Sequence, residues 1–194
     1  HGATPSGTTA EVFYEELARE ALRLGEGSVS TEGPLYPIDL RLRPAGGKGQ
    51  LVATLEGARR YYAGSGPGEH AADWERLALQ KLRATAGDLG FANRAVSVLS
   101  DEVYARRYGP ELRAAVRDMR AKQVEAVGDD DLKRSPGGLA DVEFLASALA
   151  LEHGGALPAL REPNTARLLT ALRDAEKLTP GQHPVVARVA LELH

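Results

Sequence analysis

Apolar residues recur at intervals of three and four along most of the chain, which is the spacing of one buried face of an α-helix. The first such stretch covers residues 10–24, and Thr9 stands where a helix cap belongs. Later stretches predict helices over 54–62, with Thr54 as the cap, and over 69–84, 90–99, 101–108, 111–127, 139–151, 164–178 and 184–193. The C-terminal half is therefore predicted to be a helical bundle.

Between residues 35 and 44 the apolar period changes to two. Apolar Ile38, Leu40 and Leu42 alternate there with polar Asp39, Arg41 and Arg43. This alternation predicts a strand with one buried face and one polar face, and Pro37 favours an edge position or an early bulge. A glycine-rich loop at 45–50 and a brief strand at 51–53 are predicted to follow.

Composition narrows the class of protein. The 194 residues carry a net charge of −3, with 43% hydrophobic and 26% charged residues, which is typical of a soluble globular chain. The absence of cysteine excludes disulfides and thiolate zinc sites and fits a cytoplasmic location. No apolar run reaches the roughly 20 residues that span a membrane. A charge near zero argues against nucleic acid as the main partner, although arginine makes up 19 of the 24 cations.

Three segments carry candidate chemistry. On the polar face of the predicted strand, the spacing of Asp39, Arg41 and Arg43 would allow them to bind a cation beside a polyphosphate. The same spacing also fits a ladder of ion pairs on the protein surface. One carboxylate also cannot make a two-metal site alone. In residues 72–83, Arg76 and Arg83 lie on one helix face, where they either steer phosphates or form a solvated charged face.

The third segment, residues 129–144, places two glycines before a helix. Gly137 and Gly138 allow close approach of the backbone to a neighbour or a ligand. Asp141 falls in the first helical turn, where a carboxylate complements the helix dipole. Glu143 precedes apolar residues, so it is expected to be partly buried beside an arginine. The five histidines show no metal-ligand spacing.

In this order, these segments resemble the bifunctional glutamine synthetase adenylyltransferase/adenylyl-removing enzyme family. The matching pieces are residues 35–44, 49–52, 61–62, 74–83, 87–88, 131–144, 160–161 and 164–165. The resemblance covers roughly residues 12–178. It implies an α+β, mostly α chain: a partial nucleotidyltransferase sheet with flanking helices in residues 1–88, followed by a helical bundle in residues 89–194.

The family attaches AMP from ATP to a tyrosine of glutamine synthetase, or removes it by phosphorolysis, and so regulates nitrogen assimilation. The resemblance implies that Asp39 is a catalytic acid and a ligand of Mg²⁺, and that Arg41 and Arg43 contact phosphate. It implies a basic wall near the nucleotide from Arg76, Lys81 and Arg83. Gly137, Gly138, Asp141 and Glu143 are expected to be structural, locking the bundle to the glycine turn.

In the family, a Gly-Ser motif and an Asp-x-Asp pair supply most of the metal binding, and they precede the helix that begins here at Ala10. Residues 1–9 contain neither motif. The chain is therefore expected to be a fragment that does not transfer AMP alone. One alternative is a regulatory helical domain that binds glutamine synthetase or the PII nitrogen-regulatory protein without chemistry. Another, which the net charge disfavours, is a nucleic-acid-binding module.

Overall fold

A computed structural model of the chain describes residues 7–26, 38–40, 42–65, 70–126, 131 and 133–178. By their contacts these residues divide between two compact units, His1–Ala71 and Ala72–His194. All regular secondary structure in the described residues is helical. No described helix is long and apolar enough to cross a membrane.

The described part of the first unit contains two α-helices, α1 (Ala10–Glu26) and α2 (Leu55–Ala63). Threonine hydroxyls cap both, as the sequence predicts: Thr9 Oγ1 accepts from the Val12 amide at 3.4 Å, and Thr54 Oγ1 accepts from the Gly57 amide at 3.0 Å. Gly64, with a φ of 70°, ends α2 in the left-handed conformation. Both helix predictions are confirmed.

The predicted strands are wrong for the residues that the structure describes. Residues 38–40 are irregular, and residues 42–45 form a turn that leads into a short 3₁₀ helix at Gly46–Lys48. Residues 51–52 form a bend, and residue 53 is irregular. A strand needs the backbone of a neighbouring strand to pair its amides and carbonyls, and no described segment supplies one. The partial nucleotidyltransferase sheet is therefore not seen in the described residues.

The second unit is a bundle of five helices in its described part: α3 (Asp73–Leu79), α4 (Leu89–Ala105), α5 (Pro110–Glu125), α6 (Leu139–His153) and α7 (Thr165–Asp174). Helix α6 packs against α3, α5 and α7, and α3 also packs against α4 and α5. Because it is surrounded, α6 buries apolar residues on several faces: Val142, Ala146 and Ala150 in one core cluster, and Ala148 and Leu151 in another.

Helix boundaries differ from the predictions where packing overrides local signals. Ser100 suggested a break between two helices, but α4 runs through it, because Val103 and Tyr104 are buried in the core and hold the next turn in register. Helix α3 ends at Leu79, earlier than predicted. The helices predicted over 111–127, 139–151 and 164–178 are confirmed within a few residues at their ends. The helix predicted over 184–193 lies outside the described residues.

Helix α3 packs with the helices of the second unit. The sequence-based division after Asp88 assigned the same segment to the first domain and remains a prediction. This position of α3 sets the surroundings of Arg76, Lys81 and Arg83.

Candidate functional site

In the first unit, two of the three predicted strand residues are described. Asp39 is exposed, and Arg41 lies outside the described residues. The Arg43 guanidinium donates to the carbonyls of Leu40 at 2.8 Å, Gly47 at 3.3 Å and Gly49 at 3.4 Å. Arg43 thus holds together the turn that follows Asp39.

The described residues do not by themselves fit a metal ion. Three or more histidine or carboxylate side chains do not come together anywhere in the described part of the chain. Asp39 supplies one carboxylate, and a magnesium site for phosphoryl transfer needs several oxygen ligands. The role of Asp39 as a metal ligand therefore stays a prediction from the family resemblance.

In the second unit, Arg76 lies in the interior at the middle of α3. It is 1% exposed, and its Nη1 lies 3.5 Å from Asp73 Oδ1, which is also 3.7 Å from Arg106 Nη2. Next to this group, the Tyr108 hydroxyl donates to the Val103 carbonyl at 2.8 Å, and burial raises the pKa of that hydroxyl. These contacts bury the Arg76 guanidinium beside Asp73, and its role near a nucleotide stays a prediction from the family resemblance.

The end of α3 is connected to α6 and α7 by polar side chains. Lys81 Nζ donates to Glu143 Oε1 at 2.8 Å and to Thr165 Oγ1 at 3.2 Å. Gln80 Nε2 donates to the Glu162 carbonyl at 2.6 Å, and Gln80 Oε1 accepts from Ser147 Oγ at 3.2 Å. We call Gln80, Lys81, Glu143, Ser147 and Thr165 the polar junction.

The three basic residues of the predicted wall therefore have different surroundings. Arg76 is buried, Lys81 is half-buried within the polar junction, and Arg83 is exposed in the irregular segment after α3. Sequence reasoning expected an arginine beside Glu143, whereas the structure places Lys81 there. The four-residue spacing of Glu143 and Ser147 was a signal for this contact face, because such residues lie on one side of a helix.

The glycine turn before α6 is organised by Asp141. Gly137, with a φ of 81°, donates its amide to Asp141 Oδ2 at 2.6 Å. Asp141 Oδ1 accepts from Arg120 Nε of α5 at 2.5 Å, and Arg120 Nη2 donates to the carbonyls of Arg134 and Ser135 at 2.7 and 3.0 Å. Arg120 is a residue that sequence reasoning missed, since α5 offers no local sign of this partner.

At the start of the same region, Asp131 acts as a capping residue. Asp131 Oδ1 accepts from the Arg134 amide at 2.9 Å, and Asp131 Oδ2 accepts from the Arg134 guanidinium at 2.7 Å. The hydrogen bond from the Arg134 backbone, with support from its side chain, lowers the pKa of Asp131. The carboxylates of Asp131 and Asp141 thus accept hydrogen bonds from backbone amides near the start and the end of the turn at residues 133–138.

Comparison with known proteins gives consistent matches. Residues 3–97 match the family model described as glutamate-ammonia ligase adenylyltransferase. Three relatives carry the name bifunctional glutamine synthetase adenylyltransferase/adenylyl-removing enzyme. The one from Xanthomonas campestris pv. campestris (strain ATCC 33913) is 34% identical over 92% of this chain, that from Shewanella woodyi 39% over 77%, and that from Caulobacter vibrioides 37% over 86%. The chain spans 16–19% of the length of these relatives.

Proposed function

Because the chain belongs to the glutamate-ammonia ligase adenylyltransferase family, we propose that it is part of an enzyme that transfers AMP between ATP and a tyrosine of glutamine synthetase. The observation that carries this proposal is the extent of the similarity. It covers 92% of this chain in one relative, so it includes parts of both units. The names of the relatives give the two directions of the reaction, addition and removal of AMP.

In the forward direction, the tyrosine oxygen attacks the α-phosphorus of ATP, the bond to pyrophosphate breaks, and the hydroxyl proton is released. When AMP is removed, an oxygen of inorganic phosphate attacks the same phosphorus, the bond from that phosphorus to the tyrosine oxygen breaks, ADP forms, and the tyrosine oxygen regains a proton. Negative charge builds up on phosphate oxygens in both directions, so cationic side chains near the nucleotide favour both. The motifs of this chain are common to the two directions.

On the basis of the family resemblance, we propose roles for Asp39, Arg41 and Arg43. Asp39 is proposed as a catalytic acid and Mg²⁺ ligand, and Arg41 and Arg43 as residues that contact phosphate or support the site. Arg43 already binds three carbonyls of its own turn, which favours the supporting role for it. ATP is the proposed nucleotide, and Mg²⁺ would supply charge neutralisation when bound.

The test is an AMP-transfer assay with the enzyme that contains this sequence. Glutamine synthetase and ATP labelled at the α-phosphate are supplied with Mg²⁺, and label on glutamine synthetase is measured. In a second reaction, adenylylated glutamine synthetase and inorganic phosphate are supplied, and ADP is measured. Transfer in either direction supports the proposal, and no transfer in both would contradict it.

We further propose that the 194-residue chain alone does not transfer AMP, because residues 1–9 contain neither the Gly-Ser motif nor the Asp-x-Asp pair of the family. Metal-dependent transfer by the purified chain would show this to be wrong. A cytoplasmic location also remains part of the proposal.

A second candidate function is protein binding without chemistry. We propose, as this second candidate, that the second unit, whose described helices enclose two apolar core clusters, binds glutamine synthetase or the PII nitrogen-regulatory protein. Calorimetry with the 194-residue chain distinguishes this candidate. Binding of either protein without ATP supports it, whereas no heat of binding from either protein rejects it.

A further inference from the structure

Most of the buried polar residues in the described part of the chain lie around one short helix, α3. Apart from tyrosines, five polar or charged residues are buried there, and four of them lie in α3, at its end or directly against it: Glu75, Arg76, Gln80 and Ser147. Within α3 itself, Leu77 is the one apolar residue that is fully buried. The face that α3 turns to the bundle is therefore mainly polar.

Helices α6 and α7 are held in a different way. All three buried residues of α7 are leucines, and six of the seven buried residues of α6 are apolar. Burial of apolar surface is favourable without any precise direction of contact, whereas a hydrogen bond depends on distance and angle. Hydrophobic burial thus holds α6 and α7 together, and polar contacts contribute most of what joins α3 to them.

The charged residues of α3 lower the free energy gained when it docks. Glu75 and Arg76 are 6% and 1% exposed. Glu75 accepts a hydrogen bond from the Ala72 amide at 2.8 Å, and Arg76 Nη1 lies 3.5 Å from Asp73 Oδ1, so both contacts stay within α3 and its N-cap. Removal of a charge from water costs free energy that such contacts offset only in part. Release of α3 into water removes that cost.

The polar junction fixes the end of α3 more by geometry than by free energy. Gln80 bonds to Ser147, and Lys81 bonds to Glu143. The side chains of Lys81 and Glu143 are 38% and 30% exposed, so water and salt weaken their attraction. Such contacts specify where the docked helix lies, but each adds little to its stability.

Helix α3 is also too short to persist by itself. It has seven residues, and isolated helices shorter than about 12–15 residues are marginal in water. Docking and helix formation are therefore one event for α3. When it leaves the bundle, its backbone amides lose their hydrogen bonds.

We propose that α3 is a detachable element of the second unit: residues 73–82 leave the core and unfold as a group while α5, α6 and α7 stay folded. Release uncovers part of the core cluster that Leu77 shares with Val103, Leu112 and Leu151. It also extends the irregular segment before α4 from residues 80–88 to residues 72–88. A partner that binds the uncovered face shifts the chain towards the released state. This inference does not depend on the proposed function.

The test is native-state hydrogen exchange of the 194-residue chain, followed for single amides by NMR at urea concentrations below the unfolding transition. The amides of Leu77, Ala78 and Leu79 are expected to be protected at least about tenfold less than those of Ala146 and Ala150 in α6. Their protection should also fall less steeply with urea, because release of α3 exposes less surface than unfolding of the whole chain.

Two variants distinguish local release from global unfolding. Leu168 belongs to the core cluster shared by α6 and α7, so Leu168→Val should lower the protection of α6 about fourfold, the effect of one buried methylene, and leave that of α3 unchanged. Ser147→Ala removes a hydrogen bond to Gln80 and should lower the protection of α3 about threefold to tenfold. Ser97→Ala, at an exposed serine of α4, is its control and should change neither.

The proposal is overturned if the amides of α3 and α6 share one level of protection and one dependence on urea, since α3 then opens only with the whole chain. It is also overturned if Leu168→Val lowers the protection of both helices alike, or if Ser147→Ala leaves α3 unchanged. A lack of any protection in α3 would show that it is not docked and would reject the proposal as well.

Discussion

The ammonium of Lys81 donates a hydrogen bond to the Glu143 carboxylate at 2.8 Å, although the two residues lie 62 positions apart in the sequence. Lys81 lies two residues after the end of α3, and Glu143 lies in the second turn of α6. Both side chains keep some solvent exposure, 38% and 30%, so the pair alone contributes little to stability. Its importance lies in position, because it ties a segment matched by the family to the helical bundle.

Asp39→Asn tests the catalytic carboxylate. In the enzyme that contains this sequence, we expect AMP transfer to fall more than about 100-fold, because a neutral amide does not stabilise a cation at the phosphates. Asp39 is exposed, so the midpoint of thermal unfolding should stay close to that of the unmodified enzyme. Asp174→Asn, at another exposed aspartate, is the control. A near-normal rate in the Asp39 variant would reject the assignment.

Asp141→Ala tests the link between α5 and the glycine turn. Its carboxylate accepts from Arg120 and from the Gly137 amide, and the Arg120 side chain is only 11% exposed. Removal leaves a nearly buried guanidinium without its carboxylate, so the free energy of unfolding of the chain should fall by about 2 kcal/mol. Urea unfolding followed by circular dichroism measures this. Asp118→Ala on the exposed side of α5 should change it by less than about 0.5 kcal/mol.

Gly137→Ala tests the backbone of the same turn. Gly137 has a φ of 81°, a conformation that costs a residue with a Cβ about 1 kcal/mol, although no atom lies within 4 Å of the added carbon. Gly47→Ala is a matched control, because Gly47 has equal space and no left-handed φ. Equal unfolding free energies for the two variants would show that Gly137 does not need its glycine.

Tyr104 and Tyr108 allow a matched comparison of two tyrosine hydroxyls, one without and one with a hydrogen-bond partner. The Tyr104 hydroxyl is buried with no hydrogen-bond partner among the described residues, whereas the Tyr108 hydroxyl donates to the Val103 carbonyl. At pH 7, Tyr104→Phe should leave the free energy of unfolding unchanged or raise it, and Tyr108→Phe should lower it by about 1 kcal/mol. Chemical unfolding of both variants measures the difference, and a larger loss for Tyr104→Phe would contradict it.

The pH dependence of stability tests the burial of Tyr104. Burial raises the pKa of Tyr104 from 10.0 to about 12, because the charged phenolate is disfavoured away from water. The Tyr104 hydroxyl therefore ionises at a lower pH in the unfolded chain than in the folded chain. The stabilisation that this difference gives to the folded chain is fully present below pH 10 and is lost as pH rises towards 12. Between pH 9 and pH 11.5, the Tyr104→Phe chain should lose less stability than the unmodified chain. Parallel losses would show that Tyr104 ionises normally.

Local sequence was sufficient for α1 and α2 and their caps. Thr9 and Thr54 cap as predicted, because a cap needs only a hydroxyl and an amide a few residues away. The period-two pattern around Asp39 was not sufficient for a strand, because a strand depends on a partner segment that periodicity does not identify. The break expected at Ser100 failed for a related reason, since burial of Val103 and Tyr104 decides that region.

The sequence by itself determined the family, the helical class of most of the chain, and the residue types available for phosphate chemistry. Only the tertiary structure separated the three cations of one motif into a buried Arg76, a Lys81 held by Glu143 and an exposed Arg83. The physical reason is that the sequence of a helix shows only which residues, three and four positions apart, share one of its faces. Burial and pairing depend instead on which distant helix packs against that face.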